Sequence, residues 1–217
     1  MAEHEYAFDG LPLSAVRPGM SILVAGSAHA GARELGLRLL AAPADEAAIL
    51  ITTNQRAVRI ADDCRRVGLD VSEERTAIID CVGGEESDAD AKVLPVSGPS
   101  DLTGIGMRYS DVYRSFVADD RERVRTGLHS LSTLVSFGDL KNVSRFLHTL
   151  VGRIDAVDGL GVFQIDPTNH DDRTVSTLAQ FCSARVDVRE GEEGPEFRAR
   201  GIPGQSREWT GFDPDFD

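Results

Sequence analysis

Residues 22–33 read Ile-Leu-Val-Ala-Gly-Ser-Ala-His-Ala-Gly-Ala-Arg. An apolar strand runs into Gly26, four residues pass, and Gly31 opens an amphipathic helix to about Leu40. This is the frame of a phosphate-binding loop. Such a loop works because glycines let backbone N–H groups curl around phosphate, a lysine neutralises its charge, and a hydroxyl holds Mg²⁺. Between the glycines stand Ser27, Ala28, His29 and Ala30. After Gly31, where lysine and then Ser or Thr belong, stand Ala32 and Arg33.

Outward from this stretch, strands and helices alternate. Ala48–Thr52 is a second buried strand, and Ala57, Ile60, Ala61 and Cys64 follow the spacing of an amphipathic helix. Thr76–Asp80 is a third strand, residues 83–104 form a polar loop, and Tyr109, Val112, Tyr113 and Phe116 mark a helix face. Gly127–Val135 is expected as a fourth strand, followed by a strongly periodic helix through Val143, Leu147, Leu150 and Ile154. Gly159–Ile165 is a fifth strand, and Val175, Leu178, Ala179 and Cys182 mark a last helix. Arg185–Arg189 and Glu196–Arg200 flank EGEEG as a hairpin. The pattern predicts an α/β fold, with a mostly parallel sheet covered by helices on both faces. Residues 1–202 are expected as one domain. Residues 203–217 are expected as an acidic tail, a strap anchored by Trp209 and Phe212.

The chain has 217 residues, 36 acidic against 23 basic, and a net charge of −13. Lys92 and Lys141 are its two lysines. Dispersed acidity with so few lysines suits a protein kept soluble in high salt, where screening weakens self-repulsion. That surface repels nucleic acid and anionic lipid, so neither is an expected partner. No apolar run is long enough for a membrane span, and the N-terminus lacks the regions of a signal peptide, so a cytoplasmic location is expected. Cys64, Cys81 and Cys182 are widely spaced and lie in apolar patterns, which reads as buried thiols. His4, His29, His129, His148 and His170 have no metal-ligand spacing. Asp80 and Asp166 read as turn and capping residues at strand ends, and Ser130, Ser132 and Thr133 as strand packing.

The order of these features resembles the RecA superfamily. The features are loop frame, strand with polar doublet, strand ending in Asp, Arg-x-x-x-His-Ser-Leu-Ser-Thr-Leu, then a helix and GLGVFQIDP. The chain is similar to the single-domain KaiC-like branch and its haloarchaeal members, a likeness carried by SGPSDLTGIG (97–106) and RFLHTLVGRID (145–155). The resemblance implies a RecA-like sheet with the first strand beside the fourth, and ATP at the first loop, often between subunits.

Position by position, the resemblance implies a site stripped of its chemistry. Gly26 and Gly31 keep the loop ends, but His29 replaces the middle glycine, Ala32 the lysine and Arg33 the hydroxyl. His129 replaces the metal-binding Asp after the fourth strand, and neutral imidazole is a poor Mg²⁺ ligand. Asn54 and Gln55 replace the acidic pair that activates water, and amides cannot take its proton. The expectation is a pseudo-ATPase that needs no metal or cofactor and holds ATP weakly at most. It would act through contacts with a protein partner, or as a homo-oligomer, in regulation or assembly of a complex. The alternative is a nucleotide sensor, or an ATPase with an atypical loop that uses Arg33 or residues of a neighbouring subunit.

Overall fold

The computed structural model describes residues 5–83, 89–121 and 123–214. Its backbone begins with β1 (Ser21–Ala25), α1 (Ala32–Arg38), β2 (Ala47–Thr52), α2 (Ala57–Arg66), β3 (Thr76–Asp80) and β4 (Lys92–Pro95). It continues with α3 (Leu102–Ala118), β5 (Val124–His129), α4 (Leu131–Phe137), α5 (Leu140–Asp155) and β6 (Leu160–Ile165). It closes with α6 (Asp172–Ala179), β7 (Ala184–Glu190), β8 (Pro195–Arg200) and β9 (Thr210–Gly211).

Among the described residues these strands form one sheet, in the order β4-β3-β2-β5-β6-β1-β7-β8-β9. Pairing is parallel from β4 to β7 and antiparallel through β8 and β9. The central strands are apolar on both faces because both faces are covered. Ile22, Val24, Leu50, Ile78 and Val162 join one core with α1 and α2. The alternate residues Leu23, Ala25, Ile49, Ile51 and Phe163 join a second core with α3, α4, α5 and α6. Side chains alternate across a strand, so one apolar run supplies both layers.

Four expectations need correction. The fourth strand ends at His129, and residues 131–137 are helical. Leu131 and Leu134 are buried three positions apart, a helical spacing, so Ser132 and Thr133 lie on a helix rather than in strand packing. The loop expected over 83–104 contains edge strand β4, and Asp101 caps α3 by accepting from the Gly104 N–H at 2.8 Å. α1 ends at Arg38. The first strand does not touch the fourth, because β6 lies between β1 and β5. The hairpin of β7 and β8 forms with Arg185 opposite Arg200 and Glu190 opposite Pro195.

The segment before β1 is part of the core. Tyr6 bridges Val16, and Tyr6, Phe8, Leu11, Leu13 and Val16 are buried. Arg125, fully buried on β5, donates to Glu46 at 2.6 Å and to the carbonyls of Leu39 and Ala7. Arg123 donates to the same carboxylate at 2.9 Å and lies 4.2 Å over the Tyr6 ring. Burial pushes the Tyr6 phenol up to about 12, and its hydroxyl donates to the carbonyl of Asp158.

Candidate functional site

β1 delivers the loop to the carboxyl edge of the sheet, where α/β proteins place ligands. Gly26 donates its N–H to the carbonyl of Ile165 at 3.1 Å. A Cβ on Gly26 would lie 2.8 Å from the carbonyl of Val188, so β7 packs too close for any side chain. Residues 28–30 then wind into a single 3₁₀ turn. The N–H of Ala30 bonds the carbonyl of Ser27 at 3.1 Å, and the N–H of Gly31 bonds that of Ala28 at 3.3 Å. These are donors a phosphate loop aims at its anion, and here the loop has turned them on itself. Ala28 and His29 are exposed.

Gly31 has φ +81° and ψ 9°, a left-handed conformation that favours glycine. A Cβ there would stand 3.2 Å from both the Phe212 ring and Pro195. The C-terminal segment therefore lies against the loop. Phe212 is buried and packs on Phe197 with ring centroids 5.9 Å apart. Trp209 sits under the guanidinium groups of Arg189 and Arg198, at 4.1 and 4.6 Å. Arg38 reaches back from α1 to the carbonyls of Asp213 and Gly10. Trp209 and Phe212 are thus placed as anchors of a strap that continues the sheet through β9. Residues 215–217 of the expected tail lie outside the described residues.

Ala32 is buried at the start of α1 and carries no charge. Arg33 turns inward from the same helix. Its guanidinium pairs with Asp63 of α2 and donates to the Gln55 side chain at 3.0 Å. Asp63 is only 6% exposed and also receives Arg66 at 3.0 Å and Arg59 at 3.8 Å. Burial lowers the Arg33 pKa from its ordinary value, but the group stays a cation beside its carboxylate. Of the amide doublet, Gln55 joins this cluster and Asn54 faces solvent.

His129 ends β5, half-buried at the mouth of a crevice of about 10 Å³ that Arg33, Gly127 and Gln164 also line. That volume holds one water at most. Burial, and after it the nearby Arg33 cation, push the His129 pKa down to about 4, against the opposite pull of the Gln164 amide. The imidazole is neutral at ordinary pH. Thr53 ties the two strand ends together: its hydroxyl accepts from the Ser130 N–H at 2.8 Å and donates to the Ser130 carbonyl at 3.0 Å. Asp80 accepts from the N–H groups of Ala57, Val82 and Gly83, and Asp166 from Thr168, so both serve turns and caps.

The structure therefore brings Arg33, Gln55 and His129 to one place and leaves Asn54 and His29 at the surface. Sequence reasoning missed Asp63 and Gln164. Asp63 borders the apolar stripe of α2, and an acid in that position signals a buried cation opposite. Gln164 reads simply as part of a strand. Among the described residues no group of His, Cys, Asp and Glu is placed to hold a metal ion. Cys64 and Cys81 are buried, Cys182 is half-buried, and burial pushes all three thiols up to about 12.

The profile of DUF7504, a family of unknown function, matches residues 19–188. The chain belongs to this family. The match runs from just before β1 through most of β7, so the DUF7504 region includes the loop, the crevice and α1 through α6. No curated protein matches the chain significantly. Among solved structures it is similar to a KaiC-like protein from the hyperthermophilic archaeon Pyrococcus horikoshii OT3. That match has 15% identity and a TM-score of 0.63, over 89% of this chain and 84% of that one. It is also similar to an uncharacterized Pyrococcus horikoshii protein solved in complex with an unknown peptide. There the identity is 15% and the TM-score 0.66, over 87% of this chain and 85% of that one. This member of DUF7504 has a KaiC-like, RecA-like fold. No helix among its described residues is long and apolar enough to cross a membrane.

Proposed function

We propose that this protein is a non-catalytic KaiC-like module that acts through protein contacts, in regulation or assembly of a cytoplasmic complex at high salt. The observation that carries the reading is the state of the loop. Its Ala30 and Gly31 donors are spent inside the loop, and Arg33 is spent on Asp63. Phosphate binding would have to break these contacts before gaining anything. At the positions where the RecA superfamily carries its acidic pair and metal carboxylate, Gln55 is an amide and His129 a weakly basic imidazole, and neither suits activation of water. The Arg33-dependent ATPase is disfavoured because that guanidinium is committed to the interior. Support for protein contacts comes from the fold-mate solved with a peptide. The test is phosphate release from ATP and GTP with Mg²⁺ in multimolar KCl. Release at the rate of the buffer alone is expected. Turnover that vanishes in Arg33→Ala would replace this reading with the atypical ATPase.

A further inference from the structure

The two sequence stretches that carried the closer family likeness, 97–106 and 145–155, meet on the face of the sheet opposite α1. They line an open groove of about 600 Å³ between α3 and α5. Its floor and walls include Leu102, Met107, Phe146 and Leu150. Met107 is 63% exposed, and a flexible, polarizable methionine suits a surface that takes up an apolar side chain. Gly106 lies inside α3, where glycine costs about 1 kcal/mol relative to alanine. A Cβ there would meet only Arg153 Nη1, at 3.8 Å, so internal packing does not require this glycine. It is one of the residues that line the groove.

The groove also departs from the rest of the molecule in charge. It is lined by Arg114, Arg145 and Arg153 against Asp101 and Asp111, on a chain whose net charge is −13. Both aspartates are engaged at home. Asp101 accepts from Ser97 and the Gly104 N–H, and Asp111 pairs with Arg114 at 2.6 Å. Arg145 reaches Asn142 at 3.1 Å, and Arg153 reaches the Gly106 carbonyl and the Ser110 hydroxyl at 2.9 and 2.8 Å. Neither has a carboxylate partner among the described residues.

We infer that this groove docks an acidic peptide segment of a partner protein, extended, with one apolar side chain between two carboxylates. Arg145 and Arg153 are two turns apart on α5, about 12 Å along its axis. An extended chain covers about 13 Å between residues i and i+4, and residues i, i+2 and i+4 face the same way. Carboxylates at i and i+4 reach the two arginines while an apolar side chain at i+2 enters among Met107, Phe146 and Leu150. The inference rests on the reading of the protein as a contact module, and it names the surface and the chemistry of the partner.

The experiment is selection of a displayed random peptide library on the full chain, in KCl sufficient to keep it folded. A synthesised, labelled winner is then titrated by fluorescence polarisation. Enriched peptides are expected to share acid, apolar residue and acid at alternate positions. Arg145→Glu with Arg153→Glu should weaken the winner at least about tenfold. Met107→Lys, at an exposed position that leaves both arginines intact, should also weaken it, and Arg173→Glu on α6 should not. Failure to enrich, winners without the acidic pattern, or equal binding by the variants would overturn the inference. So would a dimer in sedimentation that the double substitution abolishes, which would give the groove to a second copy. Phosphate release reads the opposite face of the sheet. Turnover together with groove binding would sink the non-catalytic reading alone, and silence in both assays would sink the groove alone.

Discussion

At the position where a phosphate loop carries its metal-binding hydroxyl, Arg33 points a cation into the protein, and what it meets there is Asp63. Breaking a buried pair leaves the partner uncompensated, a cost of about 3–5 kcal/mol. Asp63 keeps Arg66 and Arg59, so Arg33→Met should cost about 2 kcal/mol, seen as a lower urea midpoint with an unchanged m-value. His129 gives a pH signature. Its pKa is held near 4 in the fold against about 6.5 in the unfolded chain, so the unfolded state binds more protons between those values. Its contribution to stability is full above about pH 6.5 and is lost as pH falls toward 4, by roughly 2–3 kcal/mol. His129→Gln should flatten that part of the stability profile. Stability curves of equal slope for the two proteins would refute the assignment.

The strap through β9 and Phe212 does two jobs with one contact: it seals the end of the core and lies on Gly31. Truncating a buried phenylalanine costs about 3–5 kcal/mol, so Phe212→Ala should lower stability by at least about 2 kcal/mol and speed amide exchange at Ala30 and Gly31. Unchanged exchange would separate strap and loop. The long, periodic elements were legible from sequence, because β1, β2, β3 and β6 each carry a short apolar run and are buried along their whole length, and α5 repeats its buried residues without interruption. Residues 127–135 were not. Their mixed pattern of Leu, Ser and Thr does not say where a strand passes into a helix, and at the boundary Ser130 bonds Thr53 across the sheet. β4 escaped because its residues are exposed to half-buried, with Lys92 and Pro95 at an edge. At the candidate site, the identities of Ala32, Arg33, Asn54, Gln55 and His129 are legible one by one. That Arg33 would find Asp63, and that Phe212 would lie on the loop, depended on contacts across 30 and 181 positions.

For the whole molecule, charge sets two opposing expectations. Inside, Arg125 and Arg123 converge on Glu46 and hold the N-terminal segment against the sheet. Glu46→Ala leaves Arg125 buried without its carboxylate and should cost about 3–5 kcal/mol at any salt concentration. Outside, most of the chain's 36 acidic residues, accompanied by only two lysines, repel one another in dilute buffer. Screening shortens the Debye length to about 3 Å at 1 M salt, so thermal midpoints should climb steeply from low to multimolar KCl. A flat series would count against the high-salt reading. We propose that the loop frame has kept its shape without its ligand. Restoring charge and hydroxyl with Ala32→Lys and Arg33→Thr would still leave His29, His129 and the Asn54-Gln55 doublet, so that variant should show no turnover. The most direct measurement is calorimetric titration of ATP with Mg²⁺ into the native chain in multimolar KCl. No saturable heat through millimolar nucleotide is expected, and a saturable isotherm with a micromolar Kd would contradict the account.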